Sequence, residues 1–385
     1  MSLTLPPLSL YIHIPWCIQK CPYCDFNSHA VKQGIPEQAY ISHLLDDLQQ
    51  DLHWVQGREV QSIFIGGGTP SVFSAEGIAH LLAGVRQRAA LSADCEITLE
   101  ANPGTFEAER FAGYVAAGVN RFSIGVQSFS NPELQALGRI HSSNEAIQAA
   151  QLAATLPLRS FNLDLMHGLP GQSVEQAMAD LKQAIALAPP HLSWYQLTIE
   201  PNTAFASRPP VLPEDDLLWA IQEQGHELLL ANGYQQYETS AYAKTGQQCQ
   251  HNLNYWRFGD YLGIGCGAHG KVTLSESGSI LRTSKVKHPK GYMDLTRPYL
   301  DEQRQLDDSD LPFEFFMNRF RLLEPCPVQE FSAYTGLSEA STQPAIQKAI
   351  KLGLLHHDNQ HWQVSPLGSR YLNDLLTLFL DEPEA

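Results

Sequence analysis

Cys17, Cys21 and Cys24 lie within one short segment, Tyr11-Ile-His-Ile-Pro-Trp-Cys17-Ile-Gln-Lys-Cys21-Pro-Tyr-Cys24. Thiolates spaced x3 and x2 can wrap one iron–sulfur cubane, each on its own iron. Three ligands for four irons leave one iron open, the kind of site a small molecule needs. Two other chemistries use the same residue types. Cys21-Pro22-Tyr23-Cys24 alone reads as a glutaredoxin-type dithiol for thiol–disulfide exchange. A zinc ion could take these thiolates with His13, Asp25 or His29 as fourth ligand. The dithiol leaves Cys17 idle, and the zinc site lacks a second Cys or His pair at finger-like spacing.

Further candidates follow at intervals. Gly66-Gly67-Gly68-Thr69-Pro70 could bring backbone N–H and C=O groups close to a ligand, or simply make a tight turn. It is neither a G-x-G-x-x-G fingerprint nor followed by a Walker lysine, so a nucleotide phosphate site is unsupported. Glu100 precedes Asn102-Pro103, Gln127 follows Gly125, and Asp164 precedes His167-Gly168-Leu169-Pro170. Carboxylates can grip ribose hydroxyls, and Arg139 could pair with a ligand carboxylate. Each alone could equally be a surface or capping residue.

These residues need a scaffold. Six runs rich in β-branched and aromatic residues predict strands near 8–14, 60–65, 96–100, 121–126, 161–165 and 192–199. The first five of these would end at, or just before, the residues named above. Helical patterns lie between them. Residues 37–55 carry an apolar stripe of period 3.6, and Ser130/Glu133, Ser142/Glu145 and Ser173/Gln176 have capping-box spacing. Strand and helix repeated six times imply a parallel sheet with helical crossovers, either open and doubly wound or a whole or partial barrel. In a barrel the loops at the carboxyl ends of the strands form the active face. Beyond residue 200, Pro201, Pro209, Pro210 and Pro213 mark a long connection, then 214–231 reads as a helix stopped near Gly233. Strands are expected at 234–242 and 261–264. From about Leu311 the pattern is helical, with a hairpin at 354–364 that suggests a winged-helix module.

Composition narrows the function classes. A net charge of −16 argues against nucleic acid as the main partner. No apolar run approaches the ~20 residues of a membrane span, so any membrane contact would be peripheral. The first ten residues have no basic n-region or small-residue cleavage site, so no secretory signal is expected. Seven cysteines, three of them clustered, suit a reducing compartment and a metal site better than disulfides. A cytoplasmic location is expected.

Taken in order, the Cys-x3-Cys-x2-Cys segment, Gly-Gly-Gly-Thr-Pro, Glu100-Ala-Asn-Pro, Gly125-Val-Gln127-Ser-Phe and Asp164-Leu-Met-His-Gly-Leu-Pro form a recognisable series. It resembles the radical S-adenosylmethionine (SAM) enzymes related to oxygen-independent coproporphyrinogen III oxidase, from Tyr11 to about Gly270. The resemblance implies an α/β fold: a partial (βα)6 radical SAM barrel, extra strands, and a mainly helical, winged-helix-like C-terminal domain. It divides the chain into 1–230 for the barrel, 231–300 for the extra strands, and 301–385 for the helical domain. It implies a 4Fe–4S cluster on Cys17, Cys21 and Cys24, and SAM lined by Tyr11, Gly67, Gly68, Thr69, Glu100, Gln127, Arg139 and Asp164.

Within that family the oxidases carry a further cysteine two residues after the third ligand, where this chain has Phe26. They also carry a longer N-terminal extension. Both departures weigh against porphyrinogen decarboxylation and leave enzymatic activity undecided. The chain is more similar to the HemW-type heme chaperones, whose His-Asn-x-x-Tyr-Trp signature fits His251-Asn252-Leu-Asn-Tyr255-Trp256. That likeness implies heme as a further cofactor and an unidentified heme-acceptor protein as partner. His251 would then be an axial ligand, with Tyr255 and Trp256 against the macrocycle. The same segment could be a packed loop. Cys249 and Cys266 flank it, either as heme attachment points or as inert buried thiols.

Overall fold

The computed structural model describes residues 3–31, 34–105, 107–294 and 296–380. Met1 and Ser2, part of the segment read for a signal, lie outside them. The six expected strands are present as β1 (Leu8–Ile14), β2 (Val60–Gly67), β3 (Leu91–Ala101), β4 (Arg121–Gln127), β5 (Ser160–His167) and β6 (His191–Gln196). They pair in sequence order, all parallel. Helices α1 (Glu37–Asp51), α2 (Ala75–Arg88), α3 (Ala108–Ala117), α4 (Ser143–Thr155) and α5 (Val174–Ala186) connect them. Right-handed crossovers between adjacent parallel strands put every helix on one face. The sheet therefore has one covered face and one free face, which decides against a doubly wound arrangement.

The strands show this asymmetry residue by residue. Leu8, Leu10, Ile12, Ile63, Ile65, Ile97, Leu99, Phe122, Ile124, Leu163 and Leu165 belong to the main apolar core under the helices. The alternate positions, which face the other way, carry Ser9, Tyr11, Ser62, Glu96, Glu100, Arg121, Ser123, Asn162, Asp164 and His191. A polar inner face is too costly for packing against another apolar layer. It suits the wall of a binding site.

After α6 (Asp215–Ala231) the chain adds strands at both edges. β7 (Gln235–Glu238) and β8 (Ala241–Ala243) form a hairpin on β6, so the single strand expected across 234–242 is two strands with a turn. β9 (Asp260–Ile264) pairs parallel with β1 as a seventh parallel strand. β10 (His269–Leu274), β11 (Ser279–Lys285) and β12 (Leu300–Gln305) continue antiparallel beyond it. The twelve-stranded sheet stays open, with β12 at one edge and β7 at the other.

β12 crosses the expected boundary at 300/301. A second core gathers from Leu306 onward around Phe315, Phe316, Phe331, Trp362 and Phe379, and draws in Leu3, Phe258 and Ile280 from the barrel side. Its helices Leu311–Arg319, Val328–Thr335 and Gln343–Lys351 accompany a three-stranded sheet that includes the expected hairpin, at Leu355–His357 and His361–Val364.

Two expected capping boxes form, at Ser142/Glu145 and Ser173/Gln176. The third does not. Ser130 makes no side-chain cap, because Glu133 instead accepts from the buried Ser128 hydroxyl at 2.7 Å.

Candidate functional site

The cysteine loop leaves the carboxyl end of β1 and is pinned at both ends. Trp16–Cys17 pairs with His29–Ala30, closing the loop on itself. Gly68 N–H donates to the Ile14 carbonyl at 2.8 Å, and Thr69 N–H to the Trp16 carbonyl at 2.8 Å. The glycines at the end of β2 are required by this close packing. A Cβ on Gly68 would lie 2.6 Å from the Trp16 carbonyl oxygen, and one on Gly67, at φ +118°, would lie 2.6 Å from the His13 ring. Gly67, Gly68 and Thr69 also line the cavity above, so the tight-turn role and the ligand-facing role coincide.

That cavity, of about 580 Å³, is walled by Cys17, Cys21 and Cys24 together with Glu100, Gln127, Arg139 and Asp164. All three thiols are free, Cys17 buried and the other two half-buried. Arg139 Nη1 donates to Cys21 Sγ at 3.6 Å, and its Nη2 to the Gly125 carbonyl at 2.6 Å. Burial pushes the Cys17 thiol up, with a Thr69 hydrogen bond opposing it. Among the described residues no three His, Cys, Asp or Glu side chains converge to hold a single metal ion. A cubane asks for something else, three thiolates each on its own iron. The donor set on one cavity wall fits that group.

The opposite wall is built by the inner face of the sheet. Glu100 accepts the Gly67 N–H at 3.1 Å, and its carboxyl pKa is raised to about 8 by burial and by the neighbouring Asp164. Asp164 accepts from Ser123 at 3.0 Å and Asn162 at 2.7 Å; burial raises it as well. Two neighbouring carboxyl groups, neither with an ion pair among the described residues, suit a ligand that brings hydroxyl or ammonium donors. Gln127 sits at φ +70°, unusual for a side chain with a Cβ, and its Oε1 accepts from Tyr195 at 2.9 Å. Arg139 Nε is buried without a partner among the described residues. Tyr11 lies beside Glu100, where the first cavity meets a second. Its side chain lines the second and bonds His13 Nδ1 at 3.0 Å, because position 11 lies nearer the sheet edge that carries β9.

The second cavity, about 890 Å³, adjoins the first and shares Phe26, Gly67, Glu100, Asn252 and Trp256 with it. Its floor is the His-Asn-x-x-Tyr-Trp segment, which forms a short helix, α7 (Gln250–Trp256), instead of a loop. His251, Tyr255 and Trp256 all reach this cavity. The His251 ring lies 5.2 Å from that of Phe64, and its Nδ1 bonds Ser62 Oγ at 3.0 Å. Burial, then the charge of Arg121, lowers its pKa to about 3, so the imidazole is neutral throughout the physiological range.

Glu96 fixes the start of α7. Its Oε1 accepts from Gln250 N at 2.9 Å, His251 N at 3.2 Å and Cys249 Sγ at 3.4 Å. Cys249 and Cys266 are fully buried; burial pushes each up to about 12. Neither reaches the wall of either cavity.

Glu96, Ser62, Phe64 and Tyr195 were absent from the sequence-derived set. A period-2 count back from Glu100 places Glu96 on the same face. Nothing local marks Ser62, whose partner lies 189 residues away.

A family profile described as Radical SAM superfamily matches residues 11–184, and one described as HemN C-terminal domain matches residues 306–371. "Heme chaperone HemW" of Escherichia coli strain K12 is 65% identical over 378 residues, covering 98% of this chain and 99% of that protein. The chain belongs to the HemW family. Its Bacillus subtilis member is still 32% identical over 387 residues, covering 97% of this chain and 99% of that protein. A solved structure of E. coli coproporphyrinogen III oxidase (HemN), a radical SAM enzyme, matches with a TM-score of 0.84 at 23% identity, covering 98% of this chain and 91% of that one. That likeness carries the fold alone. Radical SAM membership implies a 4Fe–4S cluster and SAM. Among the described residues no helix is long and apolar enough to cross a membrane.

Proposed function

We propose that this HemW-family chain binds heme in the second cavity and hands it to an acceptor protein, with a 4Fe–4S cluster and SAM in the first. Cys17, Cys21 and Cys24 would hold the cluster, and Gly67, Gly68, Thr69, Glu100, Gln127, Arg139 and Asp164 would surround SAM. When bound, the cluster supplies an open iron and one-electron chemistry. Tyr11, beside Glu100 on the shared wall, would border SAM from the second cavity.

The observation that carries the heme reading is the setting of His251. A neutral imidazole faces an aromatic-walled cavity, its Nδ1 oriented by Ser62 and its Nε2 without a hydrogen-bond partner among the described residues. In the tautomer with the proton on Nδ1, Nε2 keeps its lone pair for an axial iron bond. Tyr255 and Trp256 offer flat apolar surface beside it. Phe26 is exposed and lines both cavities at the position where the oxidases carry their additional cysteine.

Hemin titrated into anaerobically reconstituted protein, with the Soret band followed for wild type and His251→Ala, tests this. We expect saturation near one heme per chain, with the band shifted or the affinity weakened in the variant. Unchanged binding in the variant would move the ligand elsewhere. No saturable binding to wild type would overturn the chaperone reading in favour of porphyrinogen oxidation.

A further inference from the structure

The second cavity has a polar end that its aromatic wall does not explain. Lys20, Lys287, His29 and His269 line it, against Asp25 and the protonation-prone Glu100. Two lysines at one end of a cavity stand out in a chain of net charge −16. Neither lysine forms an ion pair among the described residues. Lys20 Nζ donates to the Phe26 and Ser28 carbonyls at 3.3 and 3.4 Å, long bonds that leave one of its three donors free.

The Lys287 main chain is anchored, its carbonyl accepting from Asn27 Nδ2 and Cys266 Sγ, both at 2.8 Å, while its side chain is exposed. Burial and then the Lys287 ammonium lower His269, while His29 is lowered by burial and then by His288, with Lys20 adding least. His29 Nε2 is itself buried with no partner among the described residues. Lysines without an ion pair at the edge of an aromatic cavity are a recognition surface for carboxylates.

We propose that Lys20 and Lys287 form a carboxylate cradle that takes the two propionates of a porphyrin lying against Phe64, Tyr255 and Trp256. The assignment rests on the heme reading above and adds orientation to it. The propionate edge faces the cysteine loop, because Lys20 lies between Cys17 and Cys21. An occupied cradle therefore touches the loop that would hold the cluster.

The test compares hemin with hemin dimethyl ester, whose carboxylates are blocked, on wild type, Lys20→Met, Lys287→Met and the double variant. Lys290→Met, a neighbouring surface lysine outside the cavity, is the control. Hemin affinity should fall roughly 2- to 5-fold for each cradle lysine removed, as befits partly solvated ion pairs. The ester should bind more weakly to wild type and be indifferent to the substitutions. Lysine-to-arginine variants should retain hemin affinity.

Iron–sulfur absorbance checks the cluster loop in Lys20→Met, and Lys287, outside that loop, carries the test if the loop is disturbed. Saturable hemin binding that ignores both esterification and lysine removal would refute the cradle and leave the heme reading intact. Failure of hemin to bind wild type at all would refute the heme reading and the cradle with it.

Discussion

Glu96 is expected to decide whether the floor of the second cavity forms. It is 2% exposed, and one of its carboxylate oxygens holds the first turn of α7 to β3 through two backbone N–H groups and a thiol. Hydrogen bonds to an ionised group contribute about 1.5–3 kcal/mol each, and a carboxylate at a helix N-terminus adds about 0.3–1 kcal/mol. The thiol contact at 3.4 Å is weak and adds little. Glu96→Ala removes both bonds and the charge at the helix start, a total loss of about 3–7 kcal/mol. Glu96→Gln keeps one acceptor and loses the charge, costing about 1–2 kcal/mol.

Denaturant unfolding measures the stability change, and amide exchange at residues 250–256 locates it. Alanine should lower the unfolding midpoint, abolish protection of α7 and weaken hemin binding, with glutamine intermediate. If alanine shifts stability by less than about 0.5 kcal/mol, as a neutral surface change would, and α7 stays protected, the carboxylate is not what holds the motif helix.

Gly68→Ala should drive a Cβ against the Trp16 carbonyl and displace the cysteine loop; we expect a loss of about 1–3 kcal/mol and less iron bound per chain after reconstitution. Removing any one of Cys17, Cys21 and Cys24 by serine should abolish the cluster's visible absorption while leaving the far-ultraviolet circular dichroism unchanged. Glu100, with its folded pKa raised to about 8, stays protonated while the unfolded chain ionises near its ordinary value. Its contribution to apo-protein stability is therefore full at low pH and declines as pH rises towards 8; Glu100→Gln should flatten that decline in denaturation midpoints measured across the range. Ser62→Ala frees His251 Nδ1, so we expect hemin affinity to fall roughly 10-fold or more and the Soret band to broaden, as when the group orienting a ligating imidazole is lost.

Much of this molecule is written locally in the chain. The β1-to-β6 order follows from six separated β-rich runs and the helical stripes between them, because periodicity and turn chemistry act over a few residues. The cysteine loop, the glycine turn and Glu100 were legible for the same reason, since they sit at strand ends that share one face of a parallel α/β fold. Asp164 lies on the inner face of β5 just below that end. The capping boxes at Ser142 and Ser173 formed as their spacing required.

Other features were decided by contacts far apart in sequence. Ser130 lost its expected partner Glu133 to Ser128, whose hydroxyl donates to that carboxylate in the folded loop. Tyr11 was drawn to the second cavity by the placement of β9 beside β1, a pairing across about 250 residues. The motif at His251 became a helix because Glu96, 155 residues earlier, could cap it. The shared wall between the cavities is of this second kind. A sequence specifies which groups exist and, through period 2 and 3.6, which face of an element they occupy. Which faces meet is set by the way the whole core packs, and only the tertiary structure brings Phe26, Glu100 and Trp256 around one pair of cavities.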